Sequence, residues 1–413
     1  MYCFKLTLFY DANGFLCLFQ FFDSYIQVST NILMFCLAGI CRCMIHHLLT
    51  YSVSNRISKM IFGRTMKVAV YTGTEQIAIL DKPKPEISSE QVLVKVGFCG
   101  ICGSDVHAYA NGMIYEAGTV MGHECSGTIS EVGADVPEFQ VGDRVVIKPF
   151  GGTICGKCHF CRKGQPNFCL NRTGTSIGLT PQLDGAFAEF LKVTNPASQL
   201  IKIPHHLSLE EAALSEPLAV AMHAVQLSQF RIGDRTLVIG AGPIGLATVD
   251  ILHLGGAGRI TVVEKSASRA AKALEFGADD VLDPDVERLG LREKIFSLCD
   301  GIGPRIVFEC AGSPATFVLA TGLVQNGGQV IEVSIIETEV PFTPLGITIT
   351  EVDIKGSYGY RTEDFQLAVE FLSKNRLKAS LMISDIIPLE DINEKGFKRL
   401  LSIPEQVKIL VKP

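Results

Sequence analysis

The run Thr236-Leu-Val-Ile-Gly240-Ala-Gly242-Pro243-Ile244-Gly245 constrains the architecture of this chain more than any other segment. A G-x-G-x-x-G pattern by itself says little. Here it follows an apolar run of strand length and opens Pro243–Leu254, whose apolar residues recur at helical spacing. That strand, turn and helix are the context a dinucleotide-binding turn needs. Gly240 permits the tight turn, Gly242 lets the backbone approach a pyrophosphate, and Gly245 lets helix and strand pack closely. Pro243 and Ile244 complete the turn, and the pyrophosphate rests on the positive end of the helix.

Twenty-four residues after Gly240, the apolar run 259–264 ends in Glu264. A carboxylate there accepts hydrogen bonds from a ribose 2′-hydroxyl and repels a 2′-phosphate, so Glu264 selects NAD over NADP. Lys265 and Arg269 lie close enough to soften that choice, and Arg269 stays among the candidate cofactor contacts. Apolar runs at 237–240, 260–264, 281–283, 306–310 and 329–333 alternate with helical segments such as Ala267–Phe276. Strands alternating with helices predict right-handed βαβ units and a parallel sheet. Cys310 and Val333 close two of these runs, at strand ends where a nicotinamide would lie.

Upstream, Cys99-Gly-Ile-Cys102-Gly-Ser104-Asp105-Val-His107 and Gly122-His123-Glu124 gather reactive side chains within twenty-six residues. A catalytic zinc takes nitrogen, sulfur and oxygen ligands and keeps one position open. Cys102, His123 and a carboxylate supply such an incomplete shell, and Ser104 and His107 are placed to carry a proton out to solvent. Taken singly, a cysteine or histidine is usually packing or hydrogen-bonded filler; the case rests on their occurring together. The reading is a reaction centre for an alcohol or a carbonyl.

Cys155-x2-Cys158-x2-Cys161-x7-Cys169 places four thiols in fifteen residues, with glycines between them. Four thiolates closed around one ion describe a structural zinc, because no position is left for substrate. An iron–sulfur cluster shares the x2, x2 rhythm, but there the fourth cysteine follows after three residues and precedes proline. Disulfides fit poorly with an enzyme-like body from a reducing compartment, with no clear secretory signal. A net charge of -6 argues against a nucleic-acid zinc knuckle and against nucleic acid as a partner.

At 413 residues the chain exceeds what one hydrophobic core supports, and its 47% hydrophobic and 19% charged content suits a globular enzyme of the cytoplasm. Residues 1–65 are a different material: eight of the 24 Phe and five of the 14 Cys occur there, with only Asp11 and Asp23 as acids. The uncharged run 24–40 is interrupted by Gln27, Ser29, Thr30 and Asn31, so no membrane span is expected. At Met66 the texture changes to that of an opening strand, and residues 1–65 are read as an extension ahead of a natural start at Met66. From there, strands are expected at 68–71, 76–80, 91–99, 127–132, 144–148 and 186–193, with a helix over 210–226 carrying Glu216, another over 363–374 and a closing strand at 407–411.

From Met66 to Pro413 the chain resembles the zinc-dependent medium-chain alcohol dehydrogenases, in particular the sorbitol and polyol branch, with threonine and butanediol dehydrogenases nearby. The likeness is carried by 122–127 continuing to Gly133, by the Cys-Gly-Ile-Cys-Gly-Ser-Asp element, by the four-cysteine loop, by Ser215-Glu216-Pro217 and by 240–245, in the family's order and spacing. It implies an α/β chain: a GroES-like β-barrel catalytic domain at 66–217 and 357–413, interrupted by a doubly wound parallel-sheet Rossmann domain at 218–356. It further implies two zinc ions and NAD. Cys102 and His123 would bind the catalytic zinc, with Glu124, Glu216 or a water completing the shell, and Asp105 would orient His123. The zinc would acidify the alcohol, Ser104 would take its proton, and His107 would pass it on.

Two departures point away from sorbitol itself. Ala108 stands where polyol dehydrogenases carry an aromatic residue, and Gly359 stands where they carry an Arg before the tyrosine, here Tyr360. A secondary alcohol, diol or small polyol is the expected substrate. Threonine oxidation, a dinucleotide-binding relative without turnover, and a zinc-free reductase are the alternatives; the complete ligand set weighs against the last two. The resemblance also implies a homo-oligomer, tetramer or dimer.

Overall fold

The structure is a computed structural model that describes residues 6–10, 16–20, 65–112, 115–149, 154–171, 176–287, 289–403 and 405–413. It divides into two compact units, Met1–Gly63 and Arg64–Pro413. In the first, β1 (Leu6–Tyr10) and β2 (Leu16–Gln20) pair antiparallel with Leu6 opposite Gln20. The uncharged run 24–40 lies outside the described residues. Among the described residues, no helix is long and apolar enough to cross a membrane.

The second unit opens with the hairpin of β3 (Thr65–Gly73) and β4 (Gln76–Pro83). Then come β5 (Val92–Gly100), β6 (Glu124–Val132), β7 (Arg144–Ile147), β8 (Phe190–Val193) and β9 (Leu200–Lys202). Only 190–193 of the expected 186–193 strand pairs with β5. Of the residues before it, Glu189 still accepts from Val96 of β5, whereas Ala186 and Phe187 donate to Gly122 and Met121, and Ala188 bridges Val68. The segment thus changes partner midway and ties β3 to the sheet.

A parallel sheet follows, built from β10 (Arg235–Ile239), β11 (Arg259–Val263), β12 (Asp280–Leu282), β13 (Ile306–Glu309), β14 (Gln329–Glu332) and β15 (Asp353–Gly356). Its order is β12-β11-β10-β13-β14-β15, the doubly wound Rossmann arrangement, so the topological switch point lies beside β10. Both faces are covered. Val238, Val262, Phe308 and Ile331 join one core with the helices Ser215–Leu227 and Thr362–Ser373, whereas Leu237, Ile239, Val307 and Val330 join another on the opposite face. The sixth strand, β15, is charged and ordinary in composition, and only its pairing with β14 reveals it.

The helix expected over 210–226 is two helices, Leu209–Ala212 and Ser215–Leu227. Pro217 explains the break. It has no N–H to donate to the carbonyl four residues back, and its ring would clash there, so a continuous helix cannot pass through it. Proline is tolerated in the first turn of a new helix, and that restart sets Glu216 at a helix N-terminus.

The chain then returns to the antiparallel sheet through β16 (Ile383–Pro388) and β17 (Lys408–Lys412), giving the order β16-β17-β5-β6-β7-β9 with β8 on β5. Ile409, Leu410 and Val411 are fully buried. Each such side chain contributes about 1.5–3 kcal/mol, enough to hold this last strand and to fix Lys408 beneath the site described next.

Candidate active site

The antiparallel ladder of β5 and β6 ends with Gly100 opposite Glu124. Residues just beyond β5 and just before β6 therefore leave the sheet side by side, which brings Cys102 to His123. The helix Gly103–Asn111, which is not among the elements expected from the sequence, starts immediately after Cys102. Asp105 makes the start possible by accepting the Cys102 amide at 3.0 Å. One ligand atom each from Cys102, His123 and Glu124 lie within 4.8 Å of one another. Glu216, from the first turn of its helix, acts electrostatically on both His123 and Glu124.

The charges around this cluster favour a bound cation. Burial opposes a charge on His123, yet Asp105, Cys102 and Glu216 together outweigh it and raise the imidazole well above its ordinary pKa. Burial, with repulsion from Glu124, pushes Glu216 up to about 7 despite His123, Lys408 and the Tyr360 hydroxyl. A soft sulfur donor, an imidazole and carboxylate oxygens gathered in one buried cluster fit zinc.

Several residues that sequence did not single out complete the site. Lys408 donates to both oxygens of Glu124, at 2.7 and 2.8 Å, and to the Ile101 carbonyl at 2.9 Å. A Cβ on Gly100 would stand 2.2 Å from Glu124 Oε2, so only glycine leaves room for this carboxylate. The Tyr115 hydroxyl donates to Asp105 at 2.9 Å and lies 3.3 Å from Ser104 Oγ. Asp105 Oδ1 is 3.7 Å from His123 Nδ1, an ion-pair contact rather than a hydrogen bond. Asp105 thus faces His123 while Tyr115 and the Cys102 amide hold it. Ser104 and His107 are three apart on one helix and share a face.

In the four-cysteine loop, Cys155 and Cys161 sulfurs are 3.9 Å apart, Cys158 and Cys161 3.4 Å, and Cys169 and Cys155 3.7 Å. Those separations are far beyond a disulfide and match the edge of a zinc tetrahedron, about 3.8 Å for Zn–S bonds of about 2.3 Å. Backbone N–H groups lower two of the thiols: Lys157 leads for Cys155, and Cys161 leads in bringing Cys158 to about 6.

At the glycine turn, Gly240 has φ +93°, and a Cβ on Gly245 would sit 1.9 Å from the Gly240 carbonyl. A Cβ on Gly242 meets nothing within 4 Å. The three glycines therefore divide the work as the pattern requires: a turn, an open approach and a close packing contact. Pro243 begins the helix and Ile244 follows it. Glu264 sits beside the turn, accepting the Ala241 amide at 2.7 Å and the Ser266 amide at 2.8 Å. Arg269 instead reaches the Gln406 carbonyl at 2.8 Å. The Cys310 amide bonds to Ile239 and the Val333 amide to Glu309, which carries the ladder one residue past the strand ends. There the serine hydroxyl of Ser334 bridges the carboxyl groups of Glu309 and Glu332, and burial leads in pushing Glu332 up to about 7.

Comparison with known proteins gives matches over the same regions. A family model for the alcohol dehydrogenase GroES-like domain matches residues 88–205, and one for zinc-binding dehydrogenases matches residues 243–374. The sorbitol dehydrogenase of Bacillus subtilis (strain 168) is 34% identical over 355 residues, which is 85% of this chain and 98% of the relative. The crystal structure of 2R,3R-butanediol dehydrogenase from Bacillus subtilis superposes with a TM-score of 0.76 at 34% identity, over 84% of this chain and 99% of that one. A protein described as a zinc-binding dehydrogenase from Sinorhizobium meliloti 1021, crystallised with NADP, gives 0.77 at 30% identity, over 84% and 99%.

Proposed function

The chain belongs to the zinc-dependent medium-chain alcohol dehydrogenases, and from that premise we propose how its own residues divide the reaction. It is an oxidoreductase of CH–OH donors that uses zinc and a nicotinamide dinucleotide and oxidises diols and polyols to ketones. In the balanced reaction a secondary alcohol and oxidised NAD give a ketone, reduced NAD and one proton. The hydride comes from the carbinol carbon and the proton from its hydroxyl. When bound, the zinc supplies a Lewis acid that acidifies the substrate hydroxyl, and the nicotinamide ring accepts the hydride.

Our reading of the residues rests on one observation, the convergence of Cys102, His123 and Glu124 donor atoms within 4.8 Å. Cys102 and His123 hold the catalytic zinc, with Glu124 and Glu216 as alternating carboxylate ligands. Ser104 Oγ takes the substrate proton and His107 carries it outward. Cys155, Cys158, Cys161 and Cys169 hold the structural zinc. Gly240, Gly242, Pro243, Ile244 and Gly245 seat the pyrophosphate, Glu264 takes the ribose hydroxyls and favours NAD, and Cys310 and Val333 flank the nicotinamide, with Arg269 at the edge of the site.

The catalytic domain comprises 66–217 and 357–413, and the cofactor domain 218–356, with 1–65 outside both. The substrate is a secondary alcohol, diol or small polyol, and the enzyme works in the cytoplasm as a homo-oligomer. The test is NAD and NADP reduction by the zinc-loaded protein against 2,3-butanediol, sorbitol, xylitol, simple secondary alcohols and threonine, with zinc counted in the same sample. Two zinc ions and NAD-linked turnover of a diol or polyol is the expected result. Turnover of threonine alone would move the substrate assignment, and turnover unchanged by Cys102→Ser would overturn the site.

A further inference from the structure

We infer that Glu337, on the loop that follows β14, is a positioning residue for His107: it fixes the neutral imidazole with its proton on Nδ1 and leaves Nε2 bare to receive the substrate proton. The inference rests on the proposed relay through Ser104 and His107.

Glu337 Oε2 lies 3.5 Å from His107 Nδ1 and accepts a hydrogen bond from Asn111 Nδ2 at 3.2 Å. His107 and Asn111 are one helical turn apart on Gly103–Asn111, so the carboxylate straddles two residues of a single face. The Glu337 side chain is only 15% exposed. Among the described residues, it is the one carboxylate within ion-pair distance of this ring. Asp105, the acid on the same helix, is turned to Tyr115 and the Cys102 amide instead.

His107 Nδ1 is itself a buried nitrogen without a hydrogen bond in the structure. A buried polar atom left unpaired is costly, and Glu337 Oε2, 3.5 Å away, is the carboxylate oxygen placed to pair with it. Which imidazole nitrogen carries the proton is set by the bond the other makes. A carboxylate accepts and never donates when ionised, so at Nδ1 it selects the Nδ1–H form. The remaining lone pair on Nε2 can then take a proton from a hydroxyl, and the imidazolium that forms is stabilised by the same carboxylate. Because Glu337 comes from the part proposed to bind the dinucleotide and His107 from the part that carries Cys102 and His123, the two parts assemble the relay jointly.

The test is 15N spectroscopy of the histidine-labelled, zinc-loaded full chain at a pH where the rings are neutral, with the His107 signals identified by their loss in H107Q. The wild-type protein should show Nδ1 protonated and Nε2 bare. Glu337→Ala should release the ring to both forms, and Glu337→Gln, whose amide oxygen still accepts, should keep the wild-type pattern. A wild-type ring protonated on Nε2, or a pattern that Glu337→Ala leaves unchanged, overturns the inference whatever the activity. With 2,3-butanediol, E337A should lower kcat about tenfold with KM within about twofold, a modest share of what a positioned proton carrier contributes. Should H107Q retain full kcat, the relay itself would fall while the nitrogen spectrum still judged Glu337.

Discussion

Lys408 and Glu124 form a two-pronged ion pair in which both side chains are 1% exposed. Such a pair gains little over apolar packing, but breaking it strands a charge. Burial alone would lower the Lys408 pKa, yet Glu124 and its neighbours more than reverse that and raise it. Lys408 therefore holds Glu124, one of the carboxylates proposed as zinc ligands, and decides where it points.

Lys408→Met should cost about 3–5 kcal/mol of stability in zinc-free protein, because Glu124 remains buried without its partner. Adding Glu124→Gln should return much of that loss, since the charge is then gone as well. Urea unfolding of the two variants measures both numbers. Equal destabilisation by the single and double changes would mean that Lys408 acts through packing alone.

Removing one thiol from the four-cysteine loop should separate the two metal sites. Cys158→Ser is expected to leave one zinc per chain where the intact protein holds two, with a lower melting temperature and the Cys102–His123 site still loaded. The short sulfur–sulfur distances and the lowered Cys158 pKa motivate this, since a serine hydroxyl cannot supply the thiolate. Metal analysis against protein concentration checks it, and an unchanged content of two would refute the tetrahedral assignment.

How much of this was legible in the sequence depended on distance along the chain. Gly240, Gly242 and Gly245 were readable because their roles are local to one turn. The convergence of Cys102 with His123, and of the four cysteines with one another, was readable for a related reason, since these residues carry the characteristic spacings of the metal ligands proposed here. Lys408 reaches Glu124 across 284 residues, and Glu337 reaches Asn111 across 226. Both are common surface residue types, and only the folded register of β17 on β5 and the course of the loop after β14 give them meaning. Tyr115 is close in sequence to Ser104 but belongs to no periodic element, so spacing could not assign its hydroxyl. The break before Ser215 was in principle visible in Pro217; the apolar periodicity across it masked the signal.

Glu264 offers a test of cofactor choice. Its carboxylate is pinned by the Ala241 and Ser266 amides, which fixes a negative charge beside the glycine turn. Glu264→Ser should remove the charge that a 2′-phosphate meets, and the NAD-to-NADP ratio of kcat/KM should fall at least about tenfold, which corresponds to about 1.4 kcal/mol. The measurement is initial rates with both cofactors at a saturating diol. An unaltered ratio would leave discrimination to other residues around the turn.

Lys148 offers a test that does not involve the zinc. It is 4% exposed, its ammonium donates to Thr362 Oγ1 at 3.1 Å, and among the described residues no carboxylate lies within 4 Å of it. Burial lowers its pKa from 10.5 to about 8. The folded state thus binds this proton less tightly than the unfolded state, so stability rises as pH climbs from about 8 towards the unfolded value and the full penalty is present below pH 8. The span between those two values corresponds to about 3 kcal/mol, and the lost bond to Thr362 takes back about 1 kcal/mol. Lys148→Met should therefore be more stable than wild type at pH 7 by about 1–3 kcal/mol and should lose the extra stability that wild type gains between pH 8 and 10. Urea midpoints of both proteins at pH 7, 8.5 and 10 decide the matter: a variant that is weaker at pH 7, or that keeps the same rise, would mean the buried ammonium is stabilised by contacts beyond Thr362.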